Sequence, residues 1–440
     1  MPTSHARPIA IIGGGFAGLS AAYELGLHGI PCVVYERDAD VGGLAGSFSV
    51  NGSDLEKFYH HWFVSDEHVM SLVRELGLAD RIVHHASRTG MYYANRHYRL
   101  STPMDLLRFD ALSWLDRIRL GIMTLRARRV ADWHALEDRT ATEWVRGLGG
   151  QRVYDVVWEP LLRGKFGEAA DDVSAVWLWN KLKLRGGSRR TDGAEELDYL
   201  RGGFAGLARA LADRIEADGG HIETGTAVEG IEQTDGAVEA VVTSGGTQPV
   251  AGVLATTALP EIADVVRDLV APDVVSDLER IRYLGNVCVM LELDRSLSET
   301  YWLNVNDLSF PFVGVIEHTN MEPTSAYGGR HIVYLSRYLP ESDPLYAMAD
   351  EEMTEFSLEH LRRMFPDLRP EWVLDSHVWR ARYSQPIVER HYSGLIDRIE
   401  VPLSGFDIAT MAQIYPEDRG TNYAVRDGRA AARRIAARLG

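Results

Sequence analysis

The amino-acid sequence predicts an α/β protein: a Rossmann-like dinucleotide-binding domain assembled from separated segments, with an α+β substrate domain inserted between them. Three observations carry the prediction. An apolar run, IAII, opens into a glycine-rich loop and a helical stretch; a second, CVVYE, ends on a carboxylate; and short strands return late in the chain ahead of a closing helix. Segments 6–60, 196–260 and 400–440 are assigned to the nucleotide-binding domain, 61–195 to a mainly helical substrate or cap region, and 261–399 to a β-rich substrate region.

Ile9 to Ile12 reads as a buried strand, GGGFAGLSAAYELGLHG as a loop entering a helix, and CVVYE as the next strand, which makes a βαβ start. Ser65 is expected to cap a helix in which Val69, Leu72, Val73 and Leu76 recur at helical spacing until Gly77 ends it. From there to about Arg185 the pattern is largely helical and rich in Trp. HIETGTAVEGIEQTDGAVEAVVTSGG then reads as short strands with DG and GG hairpin signals, closed by VLATT. VCVMLEL, FVGVIEH and HIVYLSRYL read as further strands, and GFDIATMA precedes a helix from about Asn422.

Composition bounds the function. At 440 residues there is room for two or three lobes, and 45% hydrophobic with 25% charged residues is ordinary for a soluble globular chain. No apolar run approaches the ~20 residues of a membrane span, and the first strand begins too early for a secretory leader, so a cytoplasmic protein is expected. A net charge of −17 argues against nucleic acid, whose phosphates reward a basic surface. The local exception is 108–129, with six arginines against two aspartates and apolar residues at helical spacing. It reads either as a solvated helix face or as a peripheral contact with an anionic membrane, at its inner face, or an anionic substrate. Cys32 and Cys288, the only cysteines, are far apart in apolar settings and are expected in the core.

Gly13, Gly15 and Gly18 have GxGxxG spacing: the first permits the tight turn, the second lets backbone approach a diphosphate, the third lets helix and strand pack closely. The N–H groups of Phe16 and Ala17 at the helix start then face the diphosphate. Glu36 ends the next strand 23 residues after Gly13, where a carboxylate accepts ribose hydroxyls and repels a 2′-phosphate, so NADP is disfavoured. Arg37 beside it is a further cofactor candidate. A second glycine loop, Val41 to Gly46 with Gly42, Gly43 and Leu44, suits the extended FAD molecule, whose diphosphate and ribityl chain need backbone beside them.

These motifs resemble the flavin amine oxidase, protoporphyrinogen oxidase and phytoene desaturase superfamily, with its GxGxxG, acidic strand end and paired glycine. GTAV, ending at Val228, is similar to the strand whose valine backbone meets adenine in that family, and GFDIATMAQIYPEDRGTNYAVRDGRAAARRI to its C-terminal flavin segment. The resemblance implies an FAD-binding domain of the GR2 type, with Met411, Thr421 and Asn422 at the flavin and FAD as cofactor. Leu44 stands where many members have Arg, and Met411 where related flavoproteins often have Asp. The closing helix would direct its N-terminus at the flavin carbonyl.

KFYHHWFVSDE is similar to a stretch of UDP-galactopyranose mutases, with His61 on the motif histidine, Tyr59 in place of Gly and His60 in place of Ala. Adjacent strand residues point to opposite faces, so the pair is poorly placed to chelate a metal. Two readings stand: one ring in the core and the other solvated, or His61 beside the flavin as a proton-handling group with His60 toward substrate. Arg185 and Arg337 lie in mutase-like segments and are expected to bind an anionic substrate; Tyr415 is expected to face the substrate. The resemblance implies an oxidoreductase that moves hydride from a small, phosphorylated or lipid-linked substrate onto flavin. The alternatives are a reduced-flavin sugar-nucleotide isomerase and a flavin-binding protein without turnover.

Overall fold

A computed structural model describes residues 7–100, 102–187 and 195–440. Five parallel strands form the first sheet, in the order His221–Glu223, Cys32–Tyr35, Ile9–Ile12, Gly252–Ala255, Phe406–Ile408. Ile9–Ile12 and Gly252–Ala255 are buried at every position, which is why they read as unbroken apolar runs: helices or loops cover both faces of a parallel sheet. Phe16–Leu27 follows the first strand, and Thr421–Leu439 lies against it. Close approach of these two helices depends on Gly428, where a Cβ would stand 2.1 Å from the Ala17 carbonyl oxygen. Arg429 and Arg433 each donate to Glu24 across the same contact, at 2.6 and 2.7 Å.

A second sheet of seven strands runs Val373–Pro386, Tyr283–Leu293, His331–Leu339, Gly314–Glu317, Trp302–Val305, Thr89–Tyr93, Arg96–Arg99. Its last two strands, with Ile82–Ser87, lie in the stretch whose pattern reads as helical. MYYANRHYR instead folds into a hairpin: Thr89 to Tyr92 are buried, and Ala94 and Asn95 turn the chain with φ of 50° and 57°. That two-residue turn lacks glycine, so its hairpin signal is weak in sequence. The DG turn behaves as expected, with Asp235 and Gly236 both at positive φ between Val228–Thr234 and Ala237–Thr243.

The helix Glu67–Glu75 begins one residue later than the serine cap implies, because Asp66 is the N-cap; its carboxylate accepts the Phe63 N–H at 2.9 Å. Helices Trp114–Arg128, Ala141–Gly149, Glu159–Phe166 and Ala175–Gly187 form the helical lobe. Capping boxes at Thr102 and Thr140 start two of its helices by satisfying N–H groups that have no partner within a helix. Cys32 and Cys288 are buried free thiols, and burial pushes the Cys32 thiol up to about 12. Among the described residues no helix is long and apolar enough to cross a membrane.

Candidate active site

The two glycine loops lie side by side. Gly15 and Gly42 form an isolated parallel bridge, and the Gly42 N–H donates to the Gly14 carbonyl at 2.9 Å. A Cβ on Gly43, whose φ is +56°, would stand 3.1 Å from the Gly15 Cα, so only backbone fits where the loops pass. Gly13 turns at φ +105°, and a Cβ on Gly18 would reach within 2.0 Å of its carbonyl oxygen. The first N–H groups of the helix, at Phe16 and Ala17, have no intrahelical partner and open onto this cradle.

Glu36 is buried at the end of its strand and accepts N–H donors from Gly14 at 2.8 Å and Asp38 at 2.9 Å. A carboxylate has about four acceptor positions, so room for a ribose diol remains. Burial raises its carboxyl, while those backbone donors oppose the shift. Gly225 and Thr226 donate to the Asp38 and Glu36 carbonyls, which brings GTAV and Val228 to the same strand end. These residues fit a dinucleotide. Leu44 sits half-buried in the turn Gly43–Ala45, and Met411 opens the turn Met411–Gln413 just past Phe406–Ile408. Arg37 leans away from the cradle, donating to Glu261 at 2.5 Å with most of its side chain exposed.

The histidine pair splits as its strand-like spacing requires. Tyr59 packs edge-on to Trp302 and lies near Tyr334; His61 meets Trp302 and Tyr301, with its Nδ1 3.0 Å from the Tyr301 hydroxyl. His60 turns the other way, 5.4 Å from Phe204, whose ring lies 6.2 Å from Phe16 of the first glycine loop. His60 Nδ1 lies 2.6 Å from the Phe58 carbonyl, which only accepts, so Nδ1 carries the proton and Nε2 is the free lone pair. Burial holds this imidazole down to about 4, and Arg419 adds to the shift.

Beside these residues is a basic basin. Lys165 of Glu159–Phe166, Lys181 of Ala175–Gly187 and Arg419, just ahead of the closing helix, converge on the buried carboxylate of Asp418. Burial would raise that carboxyl, yet Lys181, Lys165 and Arg419 hold it well below the usual carboxylate range. Lys181 pairs with it directly, and Trp177 donates its indole N–H to it at 3.1 Å. The Lys165 ammonium stands 5.1 Å from the ring centres of both Trp177 and Tyr338. Arg419 donates to the Tyr338 hydroxyl at 2.9 Å and to Gln385 at 3.0 Å, and its charge reaches Tyr59 and His60. Two lysines and an arginine act together on one buried carboxylate, an arrangement that suits an anion.

Several expected site residues stand elsewhere. Arg337 faces away, because strand alternation puts Tyr334, Ser336 and Tyr338 on the site face and Arg337 on the other. There it lies among Val287, Leu335 and Leu339 and donates to the Pro311 carbonyl at 3.1 Å. Tyr415 donates to Glu137 at 2.7 Å between Trp133 and Tyr392, tying the C-terminal segment to the helical lobe. Asn422 uses its side-chain oxygen to accept the N–H groups of His68 and Val69, so it caps the helix Glu67–Glu75, and only its backbone N–H, with that of Thr421, remains at the start of the closing helix. Arg185 follows Lys181 by four positions on the same helix, and its side chain lies outside the described residues.

Residue spacing alone did not single out Lys165, Lys181, Tyr338, Asp418 or Arg419. Two signals were present. Period two in VYLSRYL puts Tyr338, not Arg337, beside Tyr334, and a charged DRG directly precedes a helix already assigned to the cofactor.

Residues 16–436 match the family described as flavin containing amine oxidoreductase. Among curated proteins, mitochondrial protoporphyrinogen oxidase of Nicotiana tabacum is 27% identical over 197 residues, which is 42% of this chain. The chain spans 38% of that relative's length. Among solved structures, one assigned to a protoporphyrinogen oxidase from Exiguobacterium sp. 255-15 superposes with a TM-score of 0.80 and 16% identity, over 98% of this chain and 99% of that one. Reduced UDP-galactopyranose mutase superposes with a TM-score of 0.77 and 15% identity, over 99% and 96%. At these identities the superpositions show a shared fold.

Proposed function

We propose, for a chain that belongs to the flavin containing amine oxidoreductase family and takes FAD as its cofactor, that it oxidises a small anionic substrate, phosphorylated or lipid-linked, bound through Lys165, Lys181 and Arg419. The observation that carries this reading is the basin itself. Three cations from three separate elements are drawn to one side of a buried carboxylate, next to the tyrosine–histidine segment that leads from the glycine loops. A fold with no anion to bind gains little from such crowding, since like charges held close together repel.

FAD, when bound, supplies the acceptor for a hydride, leaving a proton for the protein to take. Gly13, Gly15, Gly18, Gly42 and Gly43 clear the way for its backbone-facing parts, Glu36 accepts from its ribose, and the Thr421 and Asn422 N–H groups offer the positive end of the closing helix. Arg419 and Lys165 hold the anionic end of the substrate and so orient its reacting carbon. His60, neutral above about pH 4 with Nε2 free, is placed to accept a proton beside Arg419. His61, steadied by Tyr301, stands on the Trp302 side of the same segment as the second proton-handling group.

The basin also suits the diphosphate of a sugar nucleotide, which favours the isomerase as the second reading. Anaerobic mixing separates the two. Loss of the oxidised flavin spectrum on adding an anionic substrate, with oxidised product, supports the oxidoreductase. Ring-isomerised product from a UDP-sugar on dithionite-reduced protein, without net flavin oxidation, replaces it with the isomerase.

A further inference from the structure

The helix Trp114–Arg128 has two apolar faces. The inner one buries Leu120, Met123 and Ala127 against the helical lobe. The outer one leaves Trp114, Leu115, Ile118, Ile122 and Leu125 between 43% and 68% exposed, and Met104 and Leu107 just before it are 54% and 43% exposed. At ~100° per residue the five outer side chains fall within an arc of ~100°, opposite the buried set. Arg119 and Arg126 flank one margin of this arc, and Arg117 and Arg128 the other, with Arg129 at the end of the helix. Asp116, the one carboxylate in the helix, is buried and turned to Ser113 and Arg119. This positive margin belongs to a chain of net charge −17.

We propose that this face docks on a lipid bilayer carrying anionic headgroups, with the apolar side chains entering the headgroup boundary and the arginines meeting lipid phosphates. Large contiguous apolar exposure marks an interaction surface, and an apolar face bordered by arginine is the pattern of helices that lie in a membrane interface. A second copy of the chain fits the face poorly. Leu115, Ile118, Ile122 and Leu125 have the 3-4-3 spacing of a coiled-coil seam, but the helix has 15 residues where a stable seam needs three or four heptads. Arginine on both margins would also set like charges against each other.

The buried face of this helix packs toward a helix of the basin. Trp179 donates its indole N–H to the Ala127 carbonyl at 2.9 Å, joining this helix to the one that carries Trp177 and Lys181.

The test is co-sedimentation of the flavin-loaded full chain with vesicles of equimolar phosphatidylglycerol and phosphatidylcholine, and with phosphatidylcholine alone. Binding is expected to the anionic vesicles and to fall with added salt. Ile118→Asp with Ile122→Asp is expected to weaken it ~tenfold or more. Arg126→Gln, Arg128→Gln and Arg129→Gln are expected to weaken it roughly fivefold per arginine. Flavin content and Tm, measured on each variant, should stay at the wild-type value because these side chains are exposed. Failure of wild-type protein to bind the anionic vesicles at low salt overturns the proposal. So does equal binding by the double aspartate variant, or a wild-type dimer that the same variant dissociates without any vesicle binding.

Discussion

The nucleotide cradle and the basic basin lie side by side in this molecule and are built from opposite materials. The cradle is backbone. Gly42 and Gly43 sit at positive φ, a Cβ on either would press on backbone at 3.1 Å, and the cradle's donors are N–H groups of two loops and two helix ends. The basin is side chain: Lys165, Lys181, Tyr338, Asp418 and Arg419 come from four elements spread over more than half of the sequence. A backbone site needs glycine at fixed spacing and so leaves a pattern, whereas a side-chain site needs only that the fold bring the right groups together. Sharing the cradle across a family is therefore compatible with different substrates in the basin.

The largest expected effect strikes the cradle alone. Gly43→Val puts a branched side chain at positive φ and within contact of the Gly15 Cα, and purified protein should retain almost no flavin by its visible spectrum. Retention of full flavin would mean the loops do not carry the cofactor. Arg419→Ala strikes the basin alone. It should lower kcat/KM for the anionic substrate by roughly 10²-fold or more, the cost of truncating one partner of a buried charged contact, while flavin occupancy stays near wild type. Equal loss of flavin would erase the distinction between the two regions.

Glu36→Ala returns to the cradle with a smaller effect, weakening FAD binding by roughly tenfold as a charge-assisted ribose contact is lost. Its measure is flavin released on dilution.

His60 sharpens the comparison through pH. Its folded-state pKa, about 4, lies below the ordinary 6.5, so the unfolded chain binds a proton there that the folded chain refuses. The stability this gives is present above pH ~6.5 and lost as pH falls through about 4, and His60→Gln should flatten that part of the Tm-versus-pH curve. The smallest effect is Tyr415→Phe. Removing its hydroxyl from Glu137 should cost about 1 kcal/mol of stability in thermal unfolding and leave turnover unchanged, since the hydroxyl is engaged by Glu137 and the ring packs against Trp133 and Tyr392.

The same division explains what could be read from sequence. Ile9–Ile12, the glycine loops, Glu36, the DG hairpin and the closing helix were legible because each depends on local periodicity or on a residue with special backbone freedom. The hairpin through Ala94 and Asn95 was not, since its turn uses no glycine. The directions of Arg337 and Tyr415 were not legible, because strand face and a partner 278 residues away, Glu137, decided them. Asn422 sat where expected but turned its side chain to another helix, which no local signal could announce.

The most direct test of the account is titration of the purified yellow protein with pyrophosphate, followed through the long-wavelength flavin band. If the basin is the anion site beside the flavin, pyrophosphate will perturb the wild-type band saturably, and Lys165→Ala and Arg419→Ala will each lose the response while keeping their flavin. An identical response in both variants, or none in the wild type, would contradict it.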